Sequence, residues 1–348
     1  MKKVLKIVGG IVLALILVIA LALGYFTIRE YRPEPVENIA VSGEGTQASV
    51  DQEFRILSYN IGYAGLDKSQ DFFMDGGTKV NPQPENVRRN LDGIKDILLS
   101  NEADVYFLQE VDRKSKRTSD INELEFYEEA LGMPSVFANN FKCDFVPYPL
   151  PPIGRIDSGI ATMSDLKMSE ASRISLPESF SWPVKTCNLK RCMLETRIPL
   201  ENSEKELVLI NFHLEAYDSG EGKIAQSKML AEKMEEEYLK GNYVIAGGDF
   251  NQTFEGMDTY PITVKDGWVP GTMSNSDLAD GFSFAHADNA PTCRLLNAPY
   301  TGNYEDSQVY VIDGFIVSDN IEIQNIVNID TDFEFTDHQP VSLTFTLK

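Results

Sequence analysis

Seven short apolar runs recur along the chain: FRILSYNI (54–61), DVYFLQEV (104–111), SGIATMS (158–164), LVLINFHL (207–214), YVIAGGDF (243–250), VYVIDGFIV (309–317) and PVSLTFTL (340–347). All are of strand length and rich in β-branched and aromatic residues, so each predicts a buried strand. Helical spacing appears between some of them. Val87, Leu91, Ile94 and Leu98 form an apolar stripe after Pro84, and Ala225, Met229 and Met234 form another ahead of Gly241, a residue suited to a helix end. Helices interleaved with apolar strands, and a strand-rich C-terminal third, predict a layered α/β architecture with two packed sheets covered by helices.

The N-terminus follows a different pattern. Lys2, Lys3 and Lys6 precede an uncharged stretch of 20 residues, Ile7–Phe26, enough for a helix to cross about 30 Å of hydrocarbon. A cleaved signal peptide has a shorter apolar core, and Ala20-Leu21-Ala22, which resembles a cleavage site, lies inside the run. The reading is an uncleaved, single-pass transmembrane anchor over residues 1–30. Its lysines face the cytoplasm and the remaining chain lies outside the cell. Residues 33–52 are rich in Pro, Gly, Ser and Glu, so 31–52 is expected to be an exposed linker, with one globular domain over 53–348.

Charge narrows the function. The 348 residues carry a net charge of -22, which repels polyphosphate at long range and argues against tight non-specific DNA binding. Phosphate chemistry at a site where a bound cation supplies positive charge stays open. Cys143, Cys187, Cys192 and Cys293 contain no CxxC, so a thiolate zinc site is not expected. Outside the cell they could pair, and Cys187 and Cys192 are near enough in sequence to close a small loop.

Polar residues interrupt the strands at their ends: Asn60, Glu110, His213, Asp249 with Asn251, Asp313, and Asp337 with His338. Strand ends that bring carboxylates, amides and imidazoles to one rim build a site from distant sequence. Hard oxygen donors such as Glu110 and Asp337 suit Mg²⁺, with Mn²⁺ or Ca²⁺ as alternatives. A carboxylate can deprotonate water for attack on phosphorus, and a histidine oriented by a second carboxylate can stabilise the charged phosphorane.

The ordered series YN, LQEV, SGI, NFHL, GGDFN, VIDG and TDHQPV, from Phe54 to Leu347, resembles the endonuclease/exonuclease/phosphatase family of DNase I-like metal-dependent phosphoesterases. The resemblance implies a four-layered α/β sandwich of two mixed sheets flanked by helices. It also implies roles. Asn60, Glu110 and Asp337 would hold the divalent cation. His213 would contact the scissile phosphate, and Asp249 would orient or deprotonate the attacking water with Asn251 beside it. His338 would bind the phosphate, with Asp313 as its carboxylate partner. The expected substrate is a phospholipid head group or another extracellular phosphoester. A membrane-tethered nuclease is the alternative, so nucleic acid is a possible substrate; no protein partner is expected. A catalytically silent binding protein on the same fold and a Ca²⁺-binding structural domain are rivals of another class.

Other features read more plainly. His286 has no evident partner and is expected to be structural. Glu232, Glu235, Glu236 and Glu237 read as a solvated helix face. Arg113, Lys114, Lys116 and Arg117 form the largest basic cluster, either a substrate contact or a solvated loop. The segment 141–159 carries Pro147, Pro149, Pro151 and Pro152 among aromatics, and is expected to be neither regular helix nor central strand. It is either a rigid surface loop or an element that shapes the pocket or touches lipid head groups.

Overall fold

The computed structural model describes every residue except 219, 265 and 266. All seven apolar runs contribute strands, and these divide between two sheets. Strands β2 (Glu53–Asn60), β3 (Val105–Asp112), β4 (Ser135–Val146), β5 (Gly154–Ser164), β16 (Ile321–Asn328) and β17 (Val341–Leu347) form one, in the order β16-β17-β2-β3-β5-β4. The other contains β1 (Val36–Ile39), β6 (Glu170–Ser175), β7 (Cys192–Pro199), β8 (Glu206–His213), β9 (Tyr243–Asp249), β12 (Phe282–Ala285) and β15 (Asp313–Ser318), in the order β1-β6-β7-β8-β9-β15-β12. Two short ribbons flank them, β10 (Gln252–Phe254) with β11 (Gly271–Met273) and β13 (Cys293–Arg294) with β14 (Val309–Tyr310).

Each large sheet has one parallel pair, β2 with β3 and β8 with β9, among antiparallel neighbours. A parallel pair needs a crossover, and helices α2 (Pro84–Ser100) and α4 (Glu221–Leu239) supply the two. Three cores separate four layers. Phe54, Ile56 and Phe107 of one sheet meet Leu209, Ile245 and Phe315 of the other in the central core. Leu57 and Tyr106 pack with Val87, Leu91, Ile94 and Leu98 of α2 and with Tyr127 of α3 (Glu123–Leu131). Val208, Ile210 and Val244 pack on Leu230 and Met234 of α4. Burial of each such side chain stabilises by roughly 1.5–3 kcal/mol. Along β9 the neighbouring strands β8 and β15 of the same sheet leave no room for a side chain. A Cβ at Gly247 would lie 2.3 Å from the Phe315 ring, and one at Gly248 2.0 Å from the Phe212 carbonyl oxygen. The glycine pair before Asp249 therefore belongs to a packed strand rather than to a turn.

Several expectations change. The buried stripe of α4 is Gln226, Leu230 and Met234; Ala225 is exposed and Met229 half-buried. Glu237 is fully buried among Arg197, Lys233 and Lys240, so it is not part of a solvated acidic face. The run 309–317 breaks at Val311-Ile312, which lets Asp313 open β15. The ends of segment 141–159 are strand: β4 and β5 form a hairpin, and the four prolines lie in its loop. Because β4 is an edge strand, the prolines cost no central ladder. The stretch 31–52 is laid onto the domain. Val36–Ile39 pair with β6, and Ala48 is buried in the central core. Cys187 and Cys192 do not meet: Cys192 Sγ lies 3.8 Å from the Asn139 carbonyl, while Cys187 packs in the cluster of Cys143.

Helix α1 (Lys2–Arg29) buries none of its residues. At about 1.5 Å per residue its length exceeds a bilayer core, and it is a candidate membrane span or signal sequence. Its C-terminal end is seated on the domain. Trp182 Nε1 donates to Thr27 Oγ1 at 3.0 Å, Arg29 pairs with Asp144, and Glu30 meets Lys190 at 2.9 Å.

Candidate active site

The two parallel pairs converge at their C-terminal ends. Asn60 ends β2, Glu110 lies near the end of β3, and His213 and Asp249 end β8 and β9 in register with each other. Asp313 opens β15 directly opposite Asp249. His338 lies just before β17 and bridges Cys293.

Asn60 is the hub. Its Nδ2 donates to Asp249 Oδ2 at 3.0 Å and to Glu110 Oε1 at 3.2 Å, and its Oδ1 accepts from Gly62 N at 3.0 Å. His338 Nδ1 lies 2.9 Å from Asp313 Oδ2, and its Nε2 is 3.6 Å from Asp249 Oδ2. His213 Nε2 approaches the same Asp249 oxygen at 3.4 Å. Asp249 is braced by the Asn251 backbone N–H, which donates to its Oδ1 at 2.8 Å.

Local backbone aims two of these residues. Glu110 has φ +56, at a register shift between Leu108 and Val111 where β3 pairs with β5, so a bulge points its carboxylate out of the ladder. Asn251 has φ +51. Such conformations cost of order 1–3 kcal/mol each and cluster at functional sites. Asp337 and Asn60 flank Gly62, where φ is +50 and a Cβ would sit 2.9 Å from Asp337 Oδ1.

Electrostatics divides the groups. Burial opposes charge on His338, but Asp313, Cys293 and Asp249 outweigh it and hold the imidazole well above its ordinary value. A protonated His338 donates from Nδ1 to Asp313 and keeps an Nε2–H free. The 3.4 Å approach of Asn60 Nδ2 to that nitrogen is then a contact of two donors, not a hydrogen bond. Burial, with the Arg191 and His338 charges, pushes His213 well below its ordinary value, so it is neutral; its Nδ1 is buried without a partner. Burial and neighbouring Asp313 raise Asp249 to about 7 despite His338 and its hydrogen bonds. Burial raises Asp337 to about 6; His338 opposes that shift and Glu110 adds to it.

Glu110, Asp249, Asp313 and Asp337 thus gather near one imidazolium, and burial first of all, with neighbouring carboxylates second, raises Asp249 and Asp337. A hard, oxygen-preferring divalent cation fits such a donor set. Asp249, Asp313 and His338 offer ligand atoms within 4.8 Å of one another. With His338 protonated and bonded to Asp313, however, that trio reads better as an acid–base and phosphate-binding set, leaving the oxygens of Asn60, Glu110 and Asp337 for the ion.

All eight residues singled out from the sequence therefore lie at or beside one site, but Asn251 differs in detail. Its Nδ2 donates to the Leu214 carbonyl at 2.9 Å, so its amide also holds a loop. Tyr63 and Arg117 had no sequence signal for their pairing. The Arg117 guanidinium stacks 3.5 Å from the Tyr63 ring centroid and bonds Asp112 twice at 2.9 Å, behind Glu110. Arg113 is likewise tied to Asp157 at 3.1 Å, so the basic cluster is half structural. His286 stacks on Phe254, away from the site.

No curated protein matches the chain. Among solved structures, an endonuclease/exonuclease/phosphatase from Beutenbergia cavernae shares 16% identity at a TM-score of 0.58, covering 85% of this chain and 72% of that one. D. rerio TDP2 complexed with single-strand DNA product shares 14% at 0.54, covering 85% and 100%. The human Nocturnin catalytic domain with bound sulfate shares 13% at 0.53, covering 87% and 96%. These likenesses agree with the four-layered sandwich. The sequence profile of the Endonuclease/Exonuclease/phosphatase family matches residues 57–338, so the chain belongs to that family of phosphoester hydrolases.

Proposed function

We propose that this chain is a divalent-cation-dependent phosphodiester hydrolase, tethered by α1 and acting outside the cell on a phospholipid head group or another phosphoester near the membrane. The Asn60-centred cluster carries the hydrolytic part of this reading. In it the Asn60 amide donates to Glu110 and to Asp249, a carboxylate with a raised pKa, and His338, held charged by Asp313, lies beside them. The exposed α1, seated by its end on the domain, supports the tether; the three N-terminal lysines support the orientation.

Each residue has a chemical task. Asn60, Glu110 and Asp337 would hold the cation, Mg²⁺ by the hardness of the donors; when bound, it polarises the phosphoryl group and offsets developing charge. Asp249, as the carboxylate, accepts a proton from the attacking water, and Asn60 and the Asn251 backbone fix its orientation. His338, charged and steered by Asp313, donates from Nε2 to a phosphoryl oxygen. Neutral His213 supplies one further N–H.

A nuclease is the second reading, favoured by the likeness to a TDP2 structure holding a single-strand DNA product. The acidic chain and the pairing of Arg113 and Arg117 weigh against it. The test is hydrolysis by the full chain in detergent micelles of bis-p-nitrophenyl phosphate, phospholipids, sphingomyelin, inositol phosphates and DNA. It is run with Mg²⁺, Mn²⁺, Ca²⁺ or EDTA, beside Glu110→Ala and His338→Ala. Cation-dependent turnover lost in both variants is expected, with lipid substrates preferred. Folded protein with no turnover on any substrate would favour the silent binding protein, and preference for DNA the nuclease.

A further inference from the structure

Outside α1, an apolar group is left uncovered beside the end of that helix. Trp182 is 54% exposed, Tyr148 69% and Leu150 87%, and Phe145 and Val184 are exposed with them. Two loops carry these residues. One is the proline loop of the β4–β5 hairpin, and the other precedes β7. Contacts join both to α1: Trp182 donates to Thr27, and Asp144, next to Phe145, pairs with Arg29. Contacts also run from the loops toward the active site. Tyr148 packs edge-on against Phe73, two residues before Asp75, and Asp75 accepts from Tyr217 in the loop that follows His213. The Pro152 carbonyl meets Asn81, and Gly154 abuts Lys116 of the segment after Glu110.

Apolar surface of this kind on a soluble face calls for a cover. Three observations select a lipid surface. The group is continuous with the end of a helix long enough to span a bilayer. It contains Trp and Tyr, the side chains that favour the water–lipid boundary because one end is apolar and the other polar. And the stretches 145–156 and 179–194 contain no Asp or Glu, in a chain that has 53 of them, so these two loops carry none of the negative charge that anionic phosphates would repel.

We propose that Phe145, Tyr148, Leu150, Trp182 and Val184 form a bilayer-docking face that rests in the interfacial layer of the membrane crossed by α1 and holds the mouth of the active site against the lipid head groups. The proposal rests on the reading that α1 spans the membrane, and it adds a second attachment that fixes the domain's tilt. A helix alone leaves a domain free to swing; a helix plus an interfacial face gives a head-group phosphodiester a high local concentration at the site.

The full chain is reconstituted into phosphatidylcholine vesicles with plain or brominated acyl chains. Trp182 and Trp268 are the only tryptophans, so Trp182→Phe combined with Leu150→Trp adds a reporter well away from α1 over a constant Trp268 background. Brominated lipid should quench the added emission. Leu150→Ser should lower hydrolysis of a phosphodiester lipid in the vesicles several-fold, with bis-p-nitrophenyl phosphate turnover unchanged. Protein that sediments with the vesicles but shows no quenching at position 150 overturns the docking face and leaves the anchor standing. Protein that does not sediment with them removes the anchor and the proposal together. Quenching without hydrolysis of any substrate supports docking and counts against the enzymatic reading.

Discussion

At the residue scale, the proposed site holds opposed protonation states a few ångströms apart. Asp313 holds His338 charged, and in the proposed mechanism Asp249 must be a carboxylate to take a proton from water, yet burial and Asp313 lift it to about 7. Activity should therefore rise with pH through the titration of Asp249, at or below pH 7 because a bound cation favours the carboxylate. It should fall again where His338 loses its proton. In Asp313→Asn the imidazolium loses its main support. The alkaline limb should move to lower pH, and kcat should drop roughly 10²–10⁴-fold, the range of a general acid–base contribution. A pH profile of kcat for both proteins measures this; an unmoved alkaline limb would assign it to another group.

Two predictions belong to the elements. Glu237 on α4 ties the helix to β7 through Arg197 at 2.7 Å, and it also accepts from Lys233 and Lys240. Burial alone would raise its pKa, but these three cations lower it to about 2. A depressed carboxylate stabilises the fold fully above its unfolded value of about 4.5, and that contribution is lost as pH falls toward 2. Glu237→Gln should cost about 1–3 kcal/mol at pH 7, the range for losing charged hydrogen bonds at a buried side chain, because Arg197 keeps Glu195 and Glu206 and Lys233 keeps Glu195. The deficit should shrink below pH 4.5 in denaturant titrations. The second prediction concerns the hairpin and the loop before β7. Contact with Cys143 lowers Cys187 to about 7, while the same contact and burial push Cys143 up. Iodoacetamide at neutral pH should modify Cys187 before any other cysteine, and Cys143→Ala should slow that reaction. Peptide mapping after brief alkylation decides it.

For the whole molecule, charge is the governing property. A chain at -22 repels a nucleic acid backbone, and that repulsion weakens as salt shortens the Debye length from about 30 Å at 0.01 M to 8 Å at 0.15 M. Any DNA cleavage should therefore increase with salt over this range, opposite to the behaviour of a basic nuclease. Turnover of a neutral or zwitterionic lipid should vary little. Rates on both substrates at two ionic strengths provide the comparison.

Much of this was legible in the chain. Seven apolar runs became strands because their length and composition suit little else in a buried layer, and the stripe Val87–Leu98 became the buried face of α2 because its spacing leaves one side to bury. The eight candidate residues could be singled out because each lies within or beside an apolar run, where a polar group must have a partner or a task. Tertiary structure decided the rest. Edge strands such as β1 and β4 carry polar and mixed sequences, so only pairing with a neighbour reveals them. The face of α4 was rotated because Gln226 and Glu237 are buried through hydrogen bonds and ion pairs that hydrophobic periodicity does not record. The bulge at Glu110, the stacking of Arg117 on Tyr63 and the meeting of Cys143 with Cys187 all join residues through space. The sequence by itself determined which chemistry the chain carries, since residue type sets charge, hardness and proton affinity; only the packing of two sheets decided how those groups share protons, because that depends on distance and burial.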